Sequence, residues 1–119
     1  MYRGFTMKIS KELAKGSTAL LVLSVISKRD MYGYQIIKTI EMESEDVFSL
    51  NEGTLYPILH SLEAEKSLES YWCEAEGRKR KYYKITAKGR EELAGREQEW
   101  KTFSTAVGKV LGGAKLAGA

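Results

Sequence analysis

The chain has 119 residues, 43% of them hydrophobic and 29% charged, enough to bury one core and too few for two domains. One proline and eleven glycines exclude a collagen-like or proline-rich chain. The most apolar stretch, around Ala19 to Ile26, is less than half the ~20 residues that cross a bilayer, and no apolar core of an export signal follows a basic start. The net charge of +3 says little as a total, and the single cysteine, Cys73, cannot form an internal disulfide, which fits a reducing, cytoplasmic location.

Residues 1–9 lack periodicity and read as a flexible tail. Residues 10–27 carry a helical signal in Leu13, Leu20, Leu21, Leu23 and Ile26; a helix so apolar asks for deep burial or a partner. After the polar break Lys28-Arg29-Asp30, Gly33 opens a second helix with Ile36, Ile37 and Ile40 on one face. Ser49 and Glu52 have capping-box spacing and Asn51 is itself a good N-cap, so a third helix starts between them. Leu55, Ile58, Leu59 and Leu62 form its core stripe. Its opposite face carries Gly53, Tyr56, Pro57, His60 and Ala64, and Pro57 predicts irregular or kinked first turns.

Residues 68–75 and 80–85 are rich in Tyr, Trp and Ile, with Glu76-Gly77-Arg78-Lys79 between them: a β-hairpin with a basic tip. Thr86 then caps a last helix running to Leu111. Leu93, Trp100 and Val107 recur every seven residues within it, as do Phe103 and Val110, which makes a seam for another helix. Gly95 and Gly108 each cost that helix about 1 kcal/mol against alanine, which puts its length and straightness in question. Residues 112–119 show no packing signal and form a second flexible tail.

Charge is unevenly placed along these elements. Residues 41–76 hold ten acids against one base, Lys66; residues 78–90 hold seven bases and no acid. A basic block interleaved with Tyr82 and Tyr83 is the field that binds phosphate polymers. Enzymatic roles find no support. His60 is the only histidine and has no nucleophile or orienting partner suggested near it. One His and one Cys cannot build a zinc site, so neither metal nor cofactor is expected. Cys73, between Trp72 and Glu74, reads as an inert thiol.

Helix, helix, helix, hairpin, helix is the order of a winged helix-turn-helix: a mostly α, α+β fold over residues 10–85, followed by a C-terminal dimerisation helix at 86–111. The chain resembles the PadR-type bacterial transcriptional regulators. The resemblance lies in Tyr32-Gly33-Tyr34, in Gly53-Thr54-Leu55-Tyr56-Pro57 and Leu62-Glu63, and in Trp72. It continues through Gly77-Arg78-Lys79-Arg80-Lys81-Tyr82-Tyr83, Thr86, Lys88-Gly89 and Glu99-Trp100, and so spans roughly residues 11–111. One departure stands out: Lys66-Ser67 occupies the place where such proteins usually end the third helix with glycine.

The resemblance implies a homodimer that binds a pseudo-palindromic site on double-stranded DNA, usually as a repressor released by a small molecule, in a nucleoid-associated setting. Arg78, Lys79, Arg80 and Lys81 would neutralise phosphates or enter the minor groove, with Tyr83 beside them. Tyr34 and Tyr56 carry hydroxyls suited to phosphate oxygens. Asn51, Glu52, Thr54, Pro57 and His60 lie on the groove-facing side, where such groups read base edges or the thymine methyl. The dimer would close over Leu13, Leu20, Leu93, Trp100, Phe103, Val107, Val110 and Leu111. Some smaller members of the family hold flat aromatic compounds between two symmetry-related tryptophans, which makes Trp100 and Phe103 candidates for a planar aromatic effector. The competing reading is a winged-helix adaptor whose basic wing meets an acidic protein.

Overall fold

Three apolar helix stripes and one face of a small sheet meet in a single core. The computed structural model describes residues 9–113. Its elements are α1 (Lys11–Ala14), α2 (Thr18–Lys28), β1 (Met31–Tyr32), α3 (Gly33–Glu43), α4 (Glu52–Ala64), β2 (Leu68–Ala75), β3 (Arg78–Ile85) and α5 (Ala87–Val110). The tails expected at 1–9 and 112–119 lie outside the described residues except for Ile9, Gly112 and Gly113. Val22, Leu23 and Ile26 of α2 pack with Ile36 and Ile40 of α3 and with Leu55, Leu59 and Leu62 of α4; Met31, Leu68, Tyr83 and Ile85 of the sheet complete the core. Each fully buried aliphatic side chain contributes on the order of 1.5–3 kcal/mol of transfer free energy.

The first helix differs from expectation. Instead of one helix over 10–27, the chain breaks at 15–17. Gly16 is a poor helix former, and the turn is closed by Ser17 N–H donating to the Ala14 carbonyl at 2.9 Å. The Thr18 hydroxyl donates to the same oxygen at 3.2 Å. The break lets α2 bury its stripe while Leu13 of α1 stays 65% exposed.

Helix α4 starts where its cap requires: the Asn51 side-chain oxygen accepts from Thr54 N–H at 2.9 Å. The helix runs from Glu52 to Ala64 as one element, with Pro57 inside it. Pro57 sits near its start and removes one intrahelical bond, while Leu55, Leu59 and Leu62 anchor the turns on either side. The helix ends in a Schellman turn, with Lys66 N–H bonded to the Glu63 carbonyl (3.0 Å) and Ser67 N–H to the Leu62 carbonyl (2.9 Å). Lys66 itself takes the left-handed conformation, φ 69°, so the bend forms without glycine.

The hairpin turn is Glu76-Gly77, with φ of 53° and 76°. Both positive values identify the primed two-residue turn that suits strand twist. Arg78 and Lys79 therefore belong to β3 and pair with Ala75 and Glu74; the expected basic tip is a basic strand carrying an acidic tip residue. A third strand escaped the sequence. Met31 and Tyr32 pair antiparallel with Tyr83 and Tyr82, giving the order β1-β3-β2.

Helix α5 opens at Thr86, whose hydroxyl oxygen accepts from Gly89 N–H at 3.0 Å, and continues through Gly95 without interruption. Leu93 is partly buried against the chain's own core, so the first position of the seven-residue repeat already has an intramolecular contact. Beyond it Trp100, Phe103, Val107, Val110 and Leu111 are exposed.

Candidate nucleic-acid interface

Two elements present the sequence-predicted groups. On α4, Glu52, Thr54, Pro57 and His60 all face solvent, as does Asn51 at its cap, because the stripe Leu55-Leu59-Leu62 turns the opposite side inward. The Asn51 side-chain oxygen is taken by the cap, which leaves its amide N–H groups for any further contact. Tyr56 is half-buried. Its ring lies 6.3 Å from that of His60, and its hydroxyl packs so closely over Gly33 that a Cβ there would have no room. Glycine opens α3 for that reason. Tyr34, one residue on, is 59% exposed, with the Lys38 ammonium 5.6 Å from its ring centroid.

The register of the hairpin sorts the basic residues by face. Met31, Leu68, Tyr83 and Ile85 point into the core, and the same face, continued outward, carries the cross-strand pairs Trp72–Lys81 and Glu74–Lys79. This brings Trp72, Lys79 and Lys81 to the side of α3 and α4. With Gly33 and Tyr56 they line a cavity of about 340 Å³ between wing and helices. Trp72 is 63% exposed. Its place beside the lysines depends on strand pairing, and the only sequence signal for it was the tryptophan of the family motif. Tyr83 forms the buried floor of this cavity, with the Lys81 ammonium 5.7 Å from its ring centroid: it is 2% exposed, a core residue whose phenol is pushed above its ordinary pKa, chiefly by burial. That burial corrects its expected contact with DNA.

The other face of the sheet bears an aromatic ladder. Tyr82 stacks on Tyr71 at 5.8 Å and meets Tyr32 edge-on at 5.4 Å. The Arg80 guanidinium lies 4.3 Å from the Tyr32 centroid, a cation–π contact that holds Arg80 against the strand. Tyr71 donates its phenol proton to Asp30 at 2.5 Å, which pushes its pKa up to about 12. Single-sequence periodicity contains no trace of these pairings.

A second concave surface lies away from the wing. Leu13, Leu20, Phe48, Trp100, Phe103 and Val107 line a largely apolar groove of about 610 Å³ between α5 and the α1–α2 segment, with Arg96 and Glu99 also on its wall. Trp100 and Phe103 have centroids 6.1 Å apart. The residues expected to form a dimer seam and those expected to hold an effector thus share one groove, apart from Leu93, Val110 and Leu111.

Residues 22–95 match the profile of the transcriptional regulator PadR-like family. The chain belongs to the PadR-like family. This PadR-like protein is 28% identical to transcriptional regulator Rv3488 of Mycobacterium tuberculosis over 87% of the chain and 91% of that protein. Among solved structures it resembles a PadR-like transcriptional regulator from Bacillus cereus (TM-score 0.75, 34% identity, 86% of this chain and 98% of that one). It also resembles smu.1704 from Streptococcus mutans (TM-score 0.73, 37% identity, 91% and 95%). It is therefore a winged-helix transcriptional regulator, and its relatives are regulators rather than enzymes. Among the described residues, no His, Cys, Asp and Glu group could hold a metal ion, and no helix is long and apolar enough to cross a membrane.

Proposed function

We propose that this PadR-like regulator binds a pseudo-palindromic site on double-stranded DNA as a homodimer and represses transcription until a small molecule releases it. Residues 10–85 act as the DNA-binding unit and 86–111 as the dimerisation helix. The observation that carries this reading is that Tyr56 of α4 and Lys79, Arg80 and Lys81 of β3 line one cavity, while the polar side chains of α4 stay exposed. Asn51, Glu52, Thr54, Pro57 and His60 meet base edges in the major groove. Arg78, Lys79, Arg80 and Lys81 neutralise phosphates, with Tyr34 and Tyr56 donating hydroxyls to phosphate oxygens. Half-sites about 34–36 Å apart, one helical turn, suit a two-fold dimer of such units. Selection of bound duplexes from a random pool tests the reading, since it requires an enriched palindrome. A pool that stays unenriched refutes it and favours the protein-adaptor alternative.

The apolar groove supports both remaining parts of the reading. Leu13, Leu20, Trp100, Phe103 and Val107 gather apolar side chains in one open groove, and a second α5 is the occupant that the seven-residue repeat suits. A planar aromatic compound stacked between Trp100 and its copy in the partner is the effector of this reading, supported by the aromatic pair Trp100–Phe103 in the groove. Titration of planar dyes then quenches tryptophan fluorescence and weakens DNA binding. An unresponsive signal across a broad panel counts against the effector while leaving the DNA reading intact.

A further inference from the structure

The bend between the recognition helix α4 and the wing is tied to α5 by a contact that neither half explains alone. Ser67, the first residue past the left-handed Lys66, is completely buried, and its hydroxyl donates to Glu92 Oε1 at 2.5 Å. The other Glu92 oxygen accepts from Arg96 Nε at 2.9 Å and lies 2.8 Å from a terminal guanidinium nitrogen of the same arginine. Both carboxylate oxygens are thereby committed to charge-assisted bonds, the strong class. The backbone is fastened at the same point. The Ser67 carbonyl accepts from Thr86 N–H at 3.1 Å, the Thr86 hydroxyl donates to the Lys66 carbonyl at 2.7 Å, and Lys88 Nζ donates to the Glu65 carbonyl. Gly89 packs so tightly on the Ser67 carbonyl and Ile85 that no Cβ fits.

We propose that Glu92 is a positioning residue for DNA recognition: bridging Ser67 and Arg96, it sets the angle of the α4–wing bend relative to α5. The reason is mechanical. In a dimer joined through α5, the distance between two recognition helices depends on how rigidly each α4 is held to its own α5. Among the described residues of that junction, Ser67–Glu92 is the one hydrogen bond that joins two side chains across it, and Arg96, on α5 like Glu92, holds the accepting carboxylate in place. Lys66 lacks glycine's ease in the left-handed region, so the bend needs an external hold. Arg96 also stands in the wall of the apolar groove, so whatever fills the groove meets the far end of the same bridge.

This inference rests on the DNA-binding reading above, and one experiment separates the two. Duplexes with half-sites at a graded series of spacings are titrated with the intact wild-type protein and with the full-length variants Glu92→Gln and Ser67→Ala. Wild type should prefer one spacing. Each variant should remain dimeric, keep its salt slope on random duplex, and lose about tenfold at the preferred spacing, the worth of one charge-assisted hydrogen bond, with less than twofold loss at neighbouring spacings. Faster amide hydrogen exchange at residues 66–68 should accompany the flattened profile. Were either variant to fold poorly, Glu92→Asp, which keeps the charge and shortens the reach to Ser67, gives the same readout without touching the buried serine. Variants whose spacing profile keeps the wild-type shape overturn the positioning role, even if affinity falls uniformly at every spacing. A wild type indifferent to spacing overturns it together with the DNA reading.

Discussion

Single residues carry conformational costs here that their neighbours make necessary. Lys66 occupies the left-handed region at the end of α4, which costs an L-residue about 1–2 kcal/mol. Lys66→Gly should therefore stabilise the protein by about 1 kcal/mol after glycine's greater loss of chain entropy, raising Tm by about 4 °C for a domain of this size. Calorimetry at fixed protein concentration checks this. Tyr71 offers a second test. Its bond to Asp30 raises its pKa to about 12, so the stability it contributes is complete below the unfolded value near 10 and disappears as pH rises through 12. Ultraviolet titration should show one phenol ionising near 12 in the wild type, returning toward 10 in Asp30→Asn. The Schellman bend and the Tyr71–Asp30 bond illustrate the two sides of legibility. The odd residue at the helix end was visible in the sequence, because glycine is what such a turn favours. The tyrosine bond was not, because its partners are 41 residues apart.

Among the elements, α4 is the one whose sequence and structure agree most fully. Its stripe, cap and exposed face all follow from 3.6-residue periodicity and the chemistry of Asn51. The wing shows where such reasoning stops. Two strands were legible from their β-branched and aromatic content. Their register was not, and register decides that Tyr83 enters the core while Trp72, Lys79 and Lys81 face the helices. A two-residue strand such as β1 is too short for any period to show. For DNA binding, the consequence is that β3 presents its bases on alternating faces. Arg78→Ala with Arg80→Ala should weaken binding to every duplex and lower the slope of log affinity against log salt by about one unit for each phosphate no longer neutralised. Filter binding at several salt concentrations measures that slope, and an unchanged value removes these arginines from the interface.

For the whole molecule, the long α5 divides its apolar residues between two tasks. Leu93 packs against the chain's own core, and Trp100, Phe103 and Val107 line a groove open to solvent. In the proposed dimer, Trp100→Asp should place an unpaired charge in the seam at a cost of about 3–5 kcal/mol, giving monomers in sedimentation velocity with much weaker DNA binding. A persisting dimer would move the interface off this groove. The substitution lies away from the core cluster, so the winged-helix unit should keep its circular dichroism spectrum.

Local interactions made much of this protein readable without a structure. Apolar periods identified α2 to α5 and most of the core, caps located Asn51 and Thr86, and the block of bases marked the wing. Those features act within a few residues, so each is written wherever its residues stand. Tertiary structure decided what depends on distant segments meeting: the burial of Tyr83, the third strand, the tyrosine ladder, the inward turn of Leu93, and the bridge from Ser67 to Glu92. Pairing across 25 residues leaves no period in a sequence, because its energy arises only when the chain has already brought the two partners together.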